Sequence, residues 1–119
     1  MEFNSKKSIY LQIADLLIEN ILKKIWKEGE RIPSVRQLAV ELEVNPNTAM
    51  RTYTYLQDQG IIYNKRGIGY FISADAYSKV LDVRRKVFLM NEVPSFFKNM
   101  ELLQIDWEDL KQQFQLFQS

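Results

Sequence analysis

The sequence predicts a mainly α-helical fold with one small β-hairpin, and two observations indicate it. Apolar residues recur at three- and four-residue spacing through most of the chain, which is typical of amphipathic helices. In one stretch, two short β-prone runs flank a basic turn that contains glycine. The chain has 119 residues, of which 46% are hydrophobic, enough for about one compact core with an appended segment.

Two helices are expected in the first part of the chain. The first spans residues 9–26, where apolar side chains keep the helical spacing and charged ones occupy the other faces. The second spans residues 35–43. Ser34 can open it, because its hydroxyl can accept a hydrogen bond while Gln37, three residues later, reaches back in a capping box.

A third helix, residues 46–59, follows closely. Asn45 offers a capping side chain, Pro46 takes the first helical position, and Gly60 supplies the stop. On a helical wheel, one arc is suited to a core and the opposite arc to solvent or a ligand. The core arc holds Ala49, Thr52, Tyr53 and Leu56, and the outward arc holds Asn47, Arg51, Thr54 and Asp58.

The first turns of the third helix carry side chains suited to nucleic acid. Asn45, Asn47, Thr48 and Arg51 can contact phosphates and base edges, and the positive end of the helix adds to the attraction. Two short helices this close together, the second with such a face, predict a helix-turn-helix with the third helix as recognition helix. The alternative is a solvated face on an ordinary helical bundle.

A hairpin is expected directly after the recognition helix. The β-prone runs 61–63 and 68–72 flank a turn that carries Lys65, Arg66 and Gly67. A hairpin in this position is a wing, whose two cations could reach phosphates or the minor groove while the glycine permits close approach. The alternative is an ordinary surface hairpin.

The remaining residues, 74–119, predict a C-terminal helical dimerisation segment attached to a DNA-binding domain of residues 1–73. Three apolar stripes follow helical spacing; Pro94 is expected to break the first run, and Asp106 to open the last. So short a segment needs a second surface to cover its aromatics. The alternative is a pocket for a small ligand. The expected dimer interface comprises Tyr77, Val80, Leu81, Val87, Phe88, Phe96, Phe97, Trp107 and Phe114.

Composition excludes several functions. The chain has no cysteine and no histidine, so disulfides, thiolate metal sites and the commonest general base are absent and enzyme activity is disfavoured. No cofactor and no metal is expected. The net charge of +1 gives no general pull toward nucleic acid, so a DNA argument must rest on particular residues. No signal peptide or membrane span is recognisable, and we expect a cytoplasmic protein without membrane contact.

Residues 9–72 resemble the winged helix-turn-helix domain of the GntR family of bacterial transcription regulators. The resemblance rests on IYLQIAD, EGERIPSVRQLAVELEVNPNT and RGIGYFI, which follow in order on helix, turn, helix and wing. It implies that Arg36 contacts operator DNA, that Asn47, Thr48 and Arg51 are recognition-helix positions, and that Gly67 is the wing glycine near the minor groove. Ser34 would add a cap and a phosphate contact.

The short C-terminal segment resembles the small YtrA-type subfamily, whose C-terminal helices mainly pair protomers. The expected function is therefore a homodimeric transcription regulator, a repressor, that binds a pseudo-palindromic double-stranded operator. The alternative is a winged-helix protein-interaction module without specific DNA binding. A small-molecule effector would extend the regulator hypothesis without replacing it.

Overall fold

A computed structural model describes residues 7–119. The described part contains six α-helices, one π-helical turn and two strands. In chain order these are α1 (Ile9–Leu22), α2 (Val35–Leu42), α3 (Pro46–Asp58), β1 (Ile62–Lys65), β2 (Gly69–Ile72), α4 (Ala76–Val87), the π-helical turn (Phe88–Glu92), α5 (Val93–Leu102) and α6 (Trp107–Gln118). The chain divides into a first unit, which ends at Asp82, and a second unit, Val83–Ser119. The predicted fold class, mainly α with one hairpin, is confirmed.

The core of the first unit lies between α1, α3 and the hairpin. Ile13 and Ile21 of α1, Leu56 of α3, and Ile62 and Ile72 of the two strands are almost completely buried. Burying a side chain of this size contributes about 1.5–3 kcal/mol. The periodic apolar residues of the sequence thus pack against the buried face of α3 and hold it in place.

The predicted helix starts are confirmed. Ser34 Oγ accepts a hydrogen bond from the Gln37 amide at 3.1 Å, and Gln37 Oε1 accepts one from the Ser34 amide at 2.9 Å. Asn45 Oδ1 accepts a hydrogen bond from the Asn47 amide at 2.8 Å. These bonds satisfy donors that a helix start leaves unpaired, so both helices begin at fixed residues.

The hairpin is extended by a third segment that the sequence did not predict. β1 and β2 pair antiparallel, with Ile62 opposite Ile72. On the other edge of β2, the Gly29 amide donates to the Ile72 carbonyl at 2.8 Å and the Ile32 amide to the Tyr70 carbonyl at 3.0 Å. The residues leading into α2 are thereby bonded to the wing, which fixes the wing relative to the helix pair.

Several predicted boundaries differ in the structure, and the differences at the end of α1 and at the start of β2 involve apolar residues. α1 ends at Leu22 instead of residue 26, because Lys24 adopts a left-handed conformation, φ 60°, and turns the chain. Ile68, predicted as strand, lies in the turn, and β2 begins at Gly69. In both places the apolar pattern of the sequence extends beyond the element that the structure shows.

The first unit extends beyond the predicted boundary at residue 73. Ala76 and Val80 of α4 are buried in the core of this unit, and Tyr77 packs against it. Lys79 Nζ donates to the Gly60 carbonyl at 3.3 Å, at the C-terminal end of α3. The first turns of α4 therefore complete the helix-turn-helix unit.

The second unit contains the end of α4, the π-helical turn, α5 and α6. Pro94 does not break the helical run, as the sequence had suggested. It lies in the first turn of α5, directly after the π-helical turn, where a missing amide is tolerated. The Asp106 cap is confirmed, since its carboxylate accepts from the Asp109 amide at 2.9 Å. In the described residues, no helix is both long enough and apolar enough to cross a membrane.

Candidate nucleic-acid interface

The recognition helix α3 is fixed by polar as well as apolar contacts. The Thr52 hydroxyl is 2.8 Å from the Tyr10 carbonyl of α1 and 3.2 Å from the Thr48 carbonyl. The Tyr53 hydroxyl donates to the Pro33 carbonyl, just before α2, and burial raises the pKa of Tyr53 above its usual range. Tyr53 thus links α3 to the residues just before the start of α2 by a hydrogen bond.

The outward arc of α3 is open to solvent, as the wheel predicted. Asn47, Arg51, Thr54 and Asp58 are exposed, and Thr48 is half-buried. The four residues of the core arc, in contrast, are buried. The face that the sequence assigned to DNA is therefore available, with its amide, guanidinium and hydroxyl groups on one side of the helix.

Arg51 has a second role that the sequence did not reveal. Its guanidinium lies over the ring of Tyr10, 4.1 Å from the ring centroid. Tyr10 also meets Tyr55 edge-on, with ring centroids 6.2 Å apart. This cation–π contact holds the guanidinium at the junction of α1 and α3, so Arg51 is partly ordered before any ligand arrives.

Arg36 is exposed in the first turn of α2. It borders a shallow depression that Arg31, Ser34, Gln37, Val40 and Glu41 also line. Val40 is 75% exposed, so its apolar side chain is open to solvent at this depression. Two arginines and an apolar side chain thus line the same depression.

The two cations of the wing do not both lie in its turn, where the sequence placed them. Lys65 is at the end of β1, and its ammonium lies 4.6 Å from the centroid of the Phe71 ring. Phe71 in turn stacks on Tyr63, with centroids 5.7 Å apart. Lys65 is therefore held along the face of the hairpin, whereas Arg66 and Gly67, φ 80°, form the turn itself.

Two residues of this surface were missed by sequence reasoning. Arg31 lies opposite Phe71 in an isolated bridge, and its guanidinium crosses Gly69, where a Cβ atom would lie 3.0 Å from Arg31 Nε. No strand pattern marks Arg31, so only the fold places it on the wing. Met50 is 46% exposed on α3. The wheel could have found it, since Met50 is an apolar residue outside the core arc.

The predicted dimer residues fall into two groups. Val80 is buried in the core of the first unit, Tyr77 packs against that core, and Leu81 is half-buried. The side chain of Val80 is therefore already covered within its own chain. The exposed group comprises Val87, Phe88, Phe96, Phe97, Trp107 and Phe114.

The second unit buries none of its residues. Several aromatic rings of this unit contact one another: Phe97 meets Phe96 at 6.4 Å and Trp107 at 5.8 Å between ring centroids, both edge-on. These contacts order the rings relative to one another but leave their outer faces in water. Soluble monomers rarely expose so many large apolar side chains in one short segment.

Comparison with known proteins decides the family. Residues 9–72 match the family described as bacterial regulatory proteins, gntR family. This chain belongs to the gntR family. It is therefore a helix-turn-helix transcriptional regulator of a family that binds DNA, and not an enzyme.

The gntR relatives include two from Bacillus subtilis (strain 168). The HTH-type transcriptional regulator YhcF is 34% identical over 116 residues, 98% of this chain and 94% of YhcF. The HTH-type transcriptional repressor YtrA is 41% identical over 78 residues, 66% of this chain and 60% of YtrA. This confirms the expected short, YtrA-type subfamily.

A solved structure confirms the fold of this gntR protein. A putative transcriptional regulator of the GntR family from Bacteroides thetaiotaomicron is 44% identical and superposes with a TM-score of 0.71. The match covers 92% of this chain and 96% of the other. The winged helix-turn-helix and the C-terminal helices are thus shared with a solved member of the family.

Proposed function

We propose that this regulator is a homodimeric repressor that binds a pseudo-palindromic operator in double-stranded DNA. The observation that carries the proposal is the set of exposed aromatic side chains in the second unit, in a chain whose first unit is well packed. The repressor role draws on YtrA of B. subtilis, which is named a transcriptional repressor. A repressor needs only to occupy its operator, which a reading unit and a dimerisation unit achieve together.

In this proposal α3 enters the major groove and α2 crosses the backbone. Asn47, Thr48 and Arg51 face base edges or phosphates, and Arg36 approaches from α2. Ser34 and Asn45 use one oxygen each for capping. The Ser34 hydroxyl proton and the Asn45 amide protons stay available to donate to phosphates.

The wing adds Arg31, Lys65 and Arg66 to this surface, with Gly67 at the closest approach. Their guanidinium and ammonium groups bind phosphate oxygens independently of sequence. Arg31 is included because its guanidinium already lies across Gly69 of β2. The wing would therefore supply affinity, and the helix pair would supply sequence choice.

The homodimer follows from surface chemistry and from symmetry. Phe96, Phe97 and Trp107 are 48%, 43% and 68% exposed, and a second copy of the same surface would cover them. A two-fold axis also places two reading units on two half-sites, about one helical turn or a multiple of it apart. We leave Val80 out of this interface, because its own chain covers it.

A competition gel shift tests the DNA-binding part. The protein should shift its own upstream DNA and not a scrambled duplex. Arg36→Ala should cost about 1–3 kcal/mol on the specific duplex and much less on random DNA if Arg36 reads a base. Arg85→Ala, an exposed arginine of the second unit, is the matched control. Equal binding of both duplexes by the unaltered protein would favour the protein-interaction module instead.

The salt dependence of the same gel shift tests the wing. Replacing Lys65 and Arg66 together with alanine should flatten the logarithmic salt slope by about 0.9 for each phosphate that the variant no longer neutralises. Arg66 should account for more of this change, because Lys65 is held against Phe71. An identical slope before and after would show that the hairpin does not face DNA.

Light scattering tests the dimer. Phe97→Lys places a charge among the exposed rings and should convert the dimer to a monomer with weak operator binding. Ile25→Lys, at a 59% exposed apolar residue of the first unit, is the matched control and should stay dimeric. If Phe97→Lys stays dimeric, the second unit is not the interface.

A further inference from the structure

A cleft in the first unit is not used by any step of DNA binding. It lies between the C-terminal end of α1 and the first turn of α4 and has a volume of about 330 Å³, within the range of small-ligand sites. Ile21, buried in the core, and the half-buried Trp26 and Tyr77 supply its apolar walls. Lys24, Lys27 and Glu28 supply its charges.

Lys24 occupies a position where glycine or asparagine is usual. It has φ 60°, a left-handed conformation that is unfavourable for a lysine. Its ammonium lies 4.9 Å from the centroid of the Tyr77 ring. The strained backbone therefore places a cation over an aromatic wall of the cleft, an arrangement that glycine could not provide.

Lys24 and Lys27 of the cleft differ from the neighbouring Lys23 in their ion pairing. Lys23 forms an ion pair with Glu19 at 3.1 Å. Among the ion pairs of residues 7–119, none includes Lys24 or Lys27. An anion in the cleft would meet two ammonium groups whose charges are not already paired, opposed by the carboxylate of Glu28.

We propose that this cleft binds a small aromatic carboxylate and that binding changes operator affinity. The carboxylate would pair with Lys24 and Lys27, and the ring would lie against Trp26 and Tyr77, where flat apolar groups bury area and stack. The regulatory half rests on the proposed function. Tyr77 belongs to the first turn of α4, and α4 continues into the second unit, so a ligand here contacts the helix that links the two units.

Nuclear magnetic resonance of the full chain tests binding directly. The chain has two tryptophans, and Trp26→Phe identifies the indole N–H signal of Trp26. Benzoate and phenylacetate are the probes, and benzyl alcohol is the neutral control. We expect a saturable shift of the Trp26 signal with at least one carboxylate and none with the alcohol, while the Trp107 signal stays as an internal reference. No saturable shift with either carboxylate overturns the proposal.

Charge variants test the assigned residues. Lys24→Gln combined with Lys27→Gln should weaken probe binding about tenfold or more, as expected when charged hydrogen bonds are removed. Lys23→Gln, next along the chain but already paired with Glu19, is the matched control and should bind like the unaltered chain. Glu28→Gln should bind the probe more tightly, because a like charge is removed. Equal binding by all variants overturns the assignment.

Two further measurements separate binding from folding and from regulation. Lys24→Gly should raise the Tm, since glycine relieves the left-handed strain, but it should weaken binding of the probe. Tighter or unchanged binding of the probe would contradict the role of Lys24. In the gel shift, the probe should change operator affinity of the unaltered chain and not of the double lysine variant. Probe binding with unchanged operator affinity overturns the regulatory half, whereas failure of the DNA proposal leaves the resonance result intact.

Discussion

At the scale of single residues, one buried side chain holds the helix pair and the wing together. The Tyr53 hydroxyl is bonded to the Pro33 carbonyl, and its ring meets Tyr70 of β2 edge-on at 4.8 Å. One side chain thereby connects α3, the start of α2 and the wing. A change at such a position alters the relative placement of the elements as well as the stability of the core.

The contact between Arg51 and Tyr10 should be measurable in a double-mutant cycle. Arg51→Ala and Tyr10→Leu each remove the cation–π contact, so their effects on the free energy of unfolding should be coupled by about 0.5–1 kcal/mol. Chemical denaturation of the two single variants and the double variant measures this coupling. Tyr10→Phe keeps a ring under the guanidinium and serves as the control. Additive effects would mean that the contact contributes nothing to folding.

Tyr53 should make the free energy of unfolding fall as the pH becomes alkaline. Burial holds the pKa of the folded state above the unfolded value, which is about 10. At any pH below about 10, the neutral hydroxyl therefore makes its full contribution to the stability of the fold. This contribution is lost as the pH rises further. Tyr53→Phe should be less stable near neutral pH by about 0.5–1.5 kcal/mol, because its ring cannot donate the hydrogen bond. Its deficit should shrink above pH of about 10; a constant deficit would contradict the assignment.

At the scale of elements, the contact between α4 and the end of α3 can be isolated with two glycines. Gly60 and Gly29 have φ 73° and 78°, so alanine at either position is strained by about 1 kcal/mol. A Cβ atom at Gly60 would lie 2.6 Å from Lys79 Nζ, whereas at Gly29 nothing lies within 4 Å.

Gly60→Ala should therefore destabilise the protein by about 0.5–1.5 kcal/mol more than Gly29→Ala, because the flexible end of Lys79 must move aside and lose its hydrogen bond to the Gly60 carbonyl. Thermal or chemical unfolding of both variants measures the difference. In a Lys79→Ala background, which already lacks this contact, Gly60→Ala should cost no more than Gly29→Ala costs in the unaltered chain. Equal destabilisation by the two glycine variants would show that the Lys79 contact does not hold α4.

The sequence predicted the elements better than their ends and edges. Ser34 and Asn45 marked helix starts correctly, since a cap is a local hydrogen bond between near neighbours. The end of α1 was predicted too late, because a left-handed Lys24 leaves no sign in the apolar pattern. Arg31 was missed because its pairing with Phe71 is non-local. Pro94 was expected to interrupt a helix, but the chain stays helical around it, with a π-helical turn directly before α5.

At the scale of the whole molecule, the division of the chain differs from the one that motifs suggest. The residues that resemble a known domain end at 72, yet the compact unit continues to Asp82. A family motif records which residues recur among related proteins, whereas the boundary of a folded unit depends on which residues fill its core. The first turns of α4 belong to the core without belonging to the motif.

Two truncations should separate these boundaries. A chain that ends at Asp82 keeps Ala76 and Val80, which are 0% and 3% exposed. It should melt cooperatively, be monomeric by light scattering and bind operator only weakly.

A chain that ends at Ser73 loses both side chains and exposes the core surface they cover. It should be less stable by several kcal/mol, since removing a buried aliphatic side chain costs about 2–5 kcal/mol. If the longer truncation remained dimeric or bound as tightly as the full chain, the second unit would not be the dimer interface. If the shorter one were equally stable, α4 would not be part of the reading unit.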